Sequence, residues 1–187
     1  MSARVTYFLW DHSALNHHQH NDLHQHASPS SSSSSAMANV TIAVHPPCRA
    51  QTRTLLSPPV VVELSGQKCS SDIPFFATAV LLHPASGAVA EGLLEGTTAA
   101  TGVLLSASSI VFAFPDLSVA AAGTYTMRLD VYAMYPDSTE GATLIAQLET
   151  TQIAVLDEPV ASQRPSSTEE NMMQLIRDAG VPLSPPH

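Results

Sequence analysis

Nine histidines, two cysteines and seven basic residues are the groups in this 187-residue sequence whose types and spacing could do chemistry. His12, His17, His18, His20, His24 and His26 crowd together near the start. Imidazole is a good ligand for Zn²⁺ or Ni²⁺, so one reading is a loose metal site. The other, which we favour, is a biased tract that binds metal only incidentally. No Cys, Asp or Glu pattern accompanies the histidines to fix a coordination geometry, so neither a metal site nor a cofactor is expected. Cys48 and Cys69 offer no disulfide framework and no ligand spacing. They read as free thiols in a reducing compartment. Cys48 adjoins Arg49, but no base motif stands near it to make it a nucleophile. His45 and His83 each precede a proline and read as surface histidines beside turns. Asp116 lies in a Pro-Asp-Leu-Ser corner, where backbone capping is expected rather than acid catalysis. There is no Gly-x-Ser-x-Gly elbow, no His-Glu-x-x-His and no phosphate loop. No catalytic residue is expected, and a hydrolase is the least favoured reading.

Polyanion binding is the chemistry that remains. Arg49 and Arg53 are the one close pair of arginines, in Arg49-Ala-Gln-Thr-Arg53. The bulk charge opposes them. Seven Lys and Arg stand against sixteen Asp and Glu, a net of −9. From residue 39 onward there are six basic residues and fourteen acidic ones, a net of −8. Such a chain does not attract nucleic acid through its average field. Any DNA contact must come from a small local patch or from a partner.

The elements that would carry these residues are mostly strands. Residues 1–38 read as a disordered His- and Ser-rich tail, dispensable for folding, with an unbroken serine run at Ser30–Ser35. Met37 is a second possible start of translation. Thr6–Trp10 is too short for a signal-peptide core. No apolar run approaches the roughly 18–20 residues that span a bilayer, so no membrane association is expected. Val40, Ile42 and Val44 alternate as a strand that Pro46 and Pro47 end. Val60–Leu64 and Phe75–Leu82 are β-prone runs, with weaker strands at Ala90–Leu94 and Gly102–Leu105.

The organising stretch is Ser109–Val131. Ile110, Phe112 and Phe114 alternate with smaller residues, and Pro115 ends the pairing. After a polar corner, Tyr125, Met127, Leu129 and Val131 alternate with Thr124, Thr126, Arg128 and Asp130, giving an apolar face and a wet one. Phe112, Phe114, Tyr125, Met127 and Leu129 are expected to share one core. Thr143–Leu148 and Thr151–Leu156 form one long strand or two. At the end the period changes to that of a helix. Ser167 and Glu170 are spaced as a capping box, and Met172, Leu175, Ile176 and Ala179 fall on one face. Gly180 is the expected C′ residue. Seven or eight strands and one terminal helix imply a mainly β protein, a β-sandwich with a C-terminal α-helix.

Phe114, Pro115, Asp116, Leu117, Ser118 and Val119, followed by Gly123-Thr-Tyr-Thr-Met-Arg-Leu129, resemble the signature of the fungal velvet-domain family. Val40–Ala50, Ser57–Leu64, Pro74–Val80 and Ser166–Pro182 resemble its other segments in the same order, so the resemblance covers roughly residues 39–187. It implies an immunoglobulin/Rel-like sandwich and a nuclear regulator of development, sporulation and secondary metabolism. It also implies action as a homo- or heterodimer with other velvet proteins. Arg49 and Arg53 lie where the family carries a basic segment, so the resemblance makes them the DNA-binding candidates. This sequence lacks the Gly-Phe-Gly element and most lysines of that segment. Ala120 stands where the family has an arginine after the hexapeptide. DNA contact by the chain alone is therefore expected to be weak. The rival reading is an interaction subunit that modulates another velvet protein without touching DNA. No basic run resembles a nuclear import signal, so entry to the nucleus is expected to depend on a partner, with a share of the protein in the cytoplasm as the alternative.

Overall fold

The computed structural model describes residues 5–7, 39–66, 73–135 and 141–183. The histidine and serine tract, Met37, Lys68 and Cys69 lie outside them. In chain order the strands are β1 (Val5–Tyr7), β2 (Asn39–Val44), β3 (Arg49–Gln51), β4 (Val60–Ser65) and β5 (Phe75–Leu82). Short β6 (Leu94–Glu95), β7 (Ala99–Thr101) and β8 (Val103–Ser106) follow, then β9 (Ser109–Phe114) and β10 (Ser118–Val119). The long β11 (Gly123–Met134), β12 (Ala142–Glu149), β13 (Ile153–Leu156) and helix α1 (Ser167–Asp178) complete the chain.

These strands make two main sheets. β11 is the spine of the larger, seven-stranded one. Thr126–Ala133 pair with β5, Arg128–Met134 with β12 and Gly123–Tyr125 with β13. The smaller sheet runs β2-β4-β9-β8. Their inner faces close on one apolar core that contains Phe112, Phe114, Tyr125, Met127 and Leu129, as the alternation predicts. The architecture is a β-sandwich with one C-terminal helix. Among the described residues no helix is long and apolar enough to cross a membrane.

Several elements depart from expectation for local reasons. Val5–Tyr7, which the sequence places in a tail, pair antiparallel with Ala146–Leu148 of β12. Three residues are too few to show a period. The segment after β11 is two strands, and the ladder ends at Thr150: its N–H still donates to Met127 O at 2.9 Å, but the return bond from Met127 N–H goes to the Thr150 Oγ1 at 3.0 Å rather than to its carbonyl. Gly102 lies between β7 and β8, where the chain passes from one sheet to the other. A Cβ there would meet Ile110 Cγ2 at 2.6 Å, so a larger residue would wedge the crossing open. Asp130, expected on a wet face, is buried. Arg128 Nε donates to it at 3.1 Å and Gln147 Nε2 at 2.7 Å, which satisfies both carboxylate oxygens.

The helix also differs in detail. It packs on the outer face of the smaller sheet, so β9 is covered on both sides: Val111 joins Val44 and Val61 under Met173 and Ile176. The capping box is one residue earlier than expected, Ser166 with Glu169. Glu169 gains a second role there, because its Oε1 also accepts from His45 N–H at 3.1 Å. The buried stripe is correspondingly rotated. Met173 and Ile176 are enclosed, while Leu175 is 56% exposed and Ala179 is exposed. Gly180 takes φ +83 at C′, and Val181 N–H reaches back to Ile176 O at 3.1 Å, closing the helix end as expected.

Candidate nucleic-acid interface

Arg49 lies on β3, a three-residue strand that runs parallel to β13. Ala50 is buried and anchors the strand, so the residues on either side of it are turned away from the core. Thr52 N–H donates to Leu156 O at 2.9 Å, and Ala154 N–H to Cys48 O at 2.9 Å. The chain then turns. Thr54 Oγ1 donates to Gln51 O at 2.8 Å, and Arg53 sits at φ +55, a left-handed conformation that a side chain disfavours. Arg49, Arg53 and Cys48 are all exposed.

The hexapeptide holds this turn in place. Arg53 N–H donates to Val119 O at 2.8 Å, and Leu56 N–H donates to Leu117 O at 2.8 Å. Leu55 and Ser118 form an antiparallel bridge between them. Leu117 and Val119 are themselves buried in the core beside Phe114. Asp116 caps a backbone N–H, as its corner implies, and with Ser118 it ties the hexapeptide to β6 and the residues just after it. Thr97 donates to Asp116 twice, from N–H at 3.0 Å and from Oγ1 at 2.7 Å, and Ser118 Oγ donates to Glu95 Oε2 at 3.2 Å. β10 pairs with β6 at the same place. Gly96 allows the close approach, since a Cβ there would collide with the carbonyl of Asp116. The core thus reaches the arginines in steps: Phe114, then Leu117 and Val119, then the Arg49–Leu56 backbone.

A third segment closes the site. Gln163 Oε1 accepts from Cys48 N–H at 2.9 Å. An open cleft of about 360 Å³ lies between Arg49, Gln51 and Thr54 on one side and Ser162 and Gln163 on the other. Arg164, exposed, follows Gln163 directly in the chain. The Gln163–Cys48 contact spans 115 positions, and no local pattern announces it. Carboxylates border the site too. Exposed Asp157 and Glu158 follow Leu156, whose carbonyl accepts from Thr52. The remaining arginine of the strands, Arg128, is committed to Asp130.

His83 is exposed with its ring 5.6 Å from Tyr125, and His45 offers its backbone to Glu169. Among the described residues no cluster of His, Cys, Asp or Glu could hold a metal ion. What the arrangement can do is present guanidinium donors from a braced turn, a geometry suited to phosphate oxygens.

No curated protein matches this chain. The profile of the velvet factor (Velvet) family matches residues 4–169, which takes in β1, both sheets, the hexapeptide and the helix cap. The chain belongs to the velvet factor family.

Proposed function

We propose that the chain is a velvet-type transcriptional regulator of sporulation and secondary metabolism. It works in the nucleus as a homo- or heterodimer with another velvet protein, and it contacts DNA directly or through that partner. The hexapeptide is the support for this reading. Its Leu117 and Val119 carbonyls hold the turn that carries Arg49 and Arg53, so the family signature and the exposed cations form one unit. Arg49 and Arg53 are the phosphate-contacting residues.

The second reading, an interaction subunit without DNA contact, is favoured by the charge. A net of −8 over residues 39–187, with Asp157 and Glu158 beside the turn, opposes approach to a polyanion. Two arginines per protomer give a dimer about four phosphate contacts, and each contributes about −0.9 to the slope of log K against log salt. The test is fluorescence anisotropy with duplex DNA at several salt concentrations, alone and with a basic velvet partner. Weak binding alone and tighter binding with the partner are expected. Arg49→Ala combined with Arg53→Ala should remove about 3–4 from a dimer's salt slope. An unchanged slope in the double variant refutes the role of these arginines and leaves the interaction subunit.

A further inference from the structure

We propose that the groove between α1 and β8 is a docking site for a segment of a different protein, one bearing a bulky apolar side chain flanked by lysine or arginine. β8 is the last strand of its sheet, and no described strand pairs with its outer side. Leu175 on α1 is 56% exposed, a large apolar side chain left in water beside that edge. The helix brings a wider apolar stripe than the sheet covers. Met173 and Ile176 are spent on Val44, Val61 and Val111, and Leu175 and Ala179 are left over. Those two, with Met172 and Leu105, line an open groove of about 550 Å³. Nothing in the fold of the described residues requires a leucine at 175, and a polar residue there would remove apolar surface from water.

The charge of the groove selects its occupant. The ionisable groups lining it are both carboxylates, Glu63 and Asp178. Each holds one neutral partner and keeps acceptor capacity: Ser109 Oγ donates to Glu63 at 2.7 Å, and Gln174 Nε2 donates to Asp178 at 2.8 Å. Arg177, on the same helical turn, does not line the groove. A second copy of this chain would bring another Glu63 and Asp178 to the same edge, and like charges at an interface are repelled. Residues 8–38 of this chain contain no lysine or arginine to offer. A basic, apolar segment from another protein matches both the surface and the charge. The reading of the chain as a partner-dependent regulator suggests where such a segment comes from, and the site itself needs neither DNA nor the arginine turn.

The test uses the full chain and a fluorescein-labelled peptide, Ser-Lys-Ile-Lys-Leu-Arg-Ile-Lys-Ser, with a counterpart carrying glutamate at each basic position. The basic peptide should bind at least about tenfold tighter than the acidic one, and Leu175→Glu and Asp178→Lys should each weaken it about tenfold or more. Both positions are exposed, so thermal melts should stay unchanged and exclude misfolding. Equal binding of the two peptides, binding indifferent to both variants, or none up to about 1 mM overturns the proposal. So does sedimentation velocity showing a dimer that Leu175→Glu dissociates, since the occupant is then a second copy. Because no DNA is present, a failure here is distinct from failure of the arginine turn.

Discussion

Asp116→Ala tests whether the hexapeptide braces the arginine turn. The carboxylate receives two hydrogen bonds from Thr97, at 3.0 Å and 2.7 Å. A bond to a charged group is worth about 1.5–3 kcal/mol when water is excluded, but Asp116 is only half-buried, so water recovers much of it. A total loss of about 1–2 kcal/mol is left. With a urea m-value of about 1–3 kcal/mol/M, the unfolding midpoint followed by far-UV circular dichroism should fall by roughly 0.5–1 M at constant m. Asp116→Asn keeps an oxygen for Thr97 N–H and should cost about half as much. Thr97→Val removes only the hydroxyl. Combined with Asp116→Ala it should cost little extra, a coupling of about 0.5–1 kcal/mol. The effect should also travel to the arginines. Arg53 and Leu56 N–H bond to the carbonyls just beyond Asp116, so their amide exchange should quicken more than that of β4 or β11. An unchanged midpoint, strictly additive variants and unaltered exchange at Arg53 would show that Leu117 and Val119 hold the corner by burial alone.

Phe114→Ala, in the middle of the core, should cost about 3–5 kcal/mol, enough to leave a domain of about 5–15 kcal/mol largely unfolded at 37 °C. A cooperative unfolding curve with a near-native midpoint would mean the ring is not buried. Burial pushes the Glu169 carboxyl up. The hydrogen bonds from Ser166 backbone, His45 backbone and the Ser166 hydroxyl, with the nearby His45 side chain, outweigh it and hold the group below its ordinary value of 4.5. Its contribution to stability is therefore complete above that value and is lost as pH falls through the lower, folded one. Urea midpoints of Glu169→Gln should show a flatter acid limb than the parent, and parallel curves would remove the cap from the account. Deleting residues 1–36 should cost about 1–2 kcal/mol, because three ladder positions on β12 are lost. An unchanged thermal midpoint would mean that β1 adds nothing.

Much of this could be read from the sequence, for identifiable reasons. Ile110–Phe114 and Tyr125–Val131 show strict alternation, so the central strands and the shared core were legible from period alone. The helix was legible from its cap spacing, but its rotation was not. Ser166 and Ser167 both precede a glutamate by three residues, and the choice between them is made by His45, 124 positions from Glu169. Asp130 was misplaced because alternation gives a face and cannot say that Arg128 and Gln147 close over it. Arg49 and Arg53 could be singled out as a pair. What braces them could not, since Leu117, Leu156 and Gln163 belong to three distant segments.

That bracing fixes an order of assembly. The chain leaves the ribosome at about 5–20 residues per second, so Arg49 and Arg53 emerge well before anything can hold them. Leu117 and Val119 arrive next and fix one side of the turn. The parallel partner β13 follows, and Gln163, 115 positions after Cys48, comes last. Contacts of such separation are slow to form, because the intervening loop must close before any of them is made. A nascent chain therefore carries two loose arginines until Leu117 and Val119 have emerged, and a half-braced turn until β13 follows. The side of the turn that rests on β13 and Gln163 is set only once those residues have been translated, so a message truncated before β13 yields a protein whose Arg49–Leu56 segment is held on the Leu117–Val119 side alone.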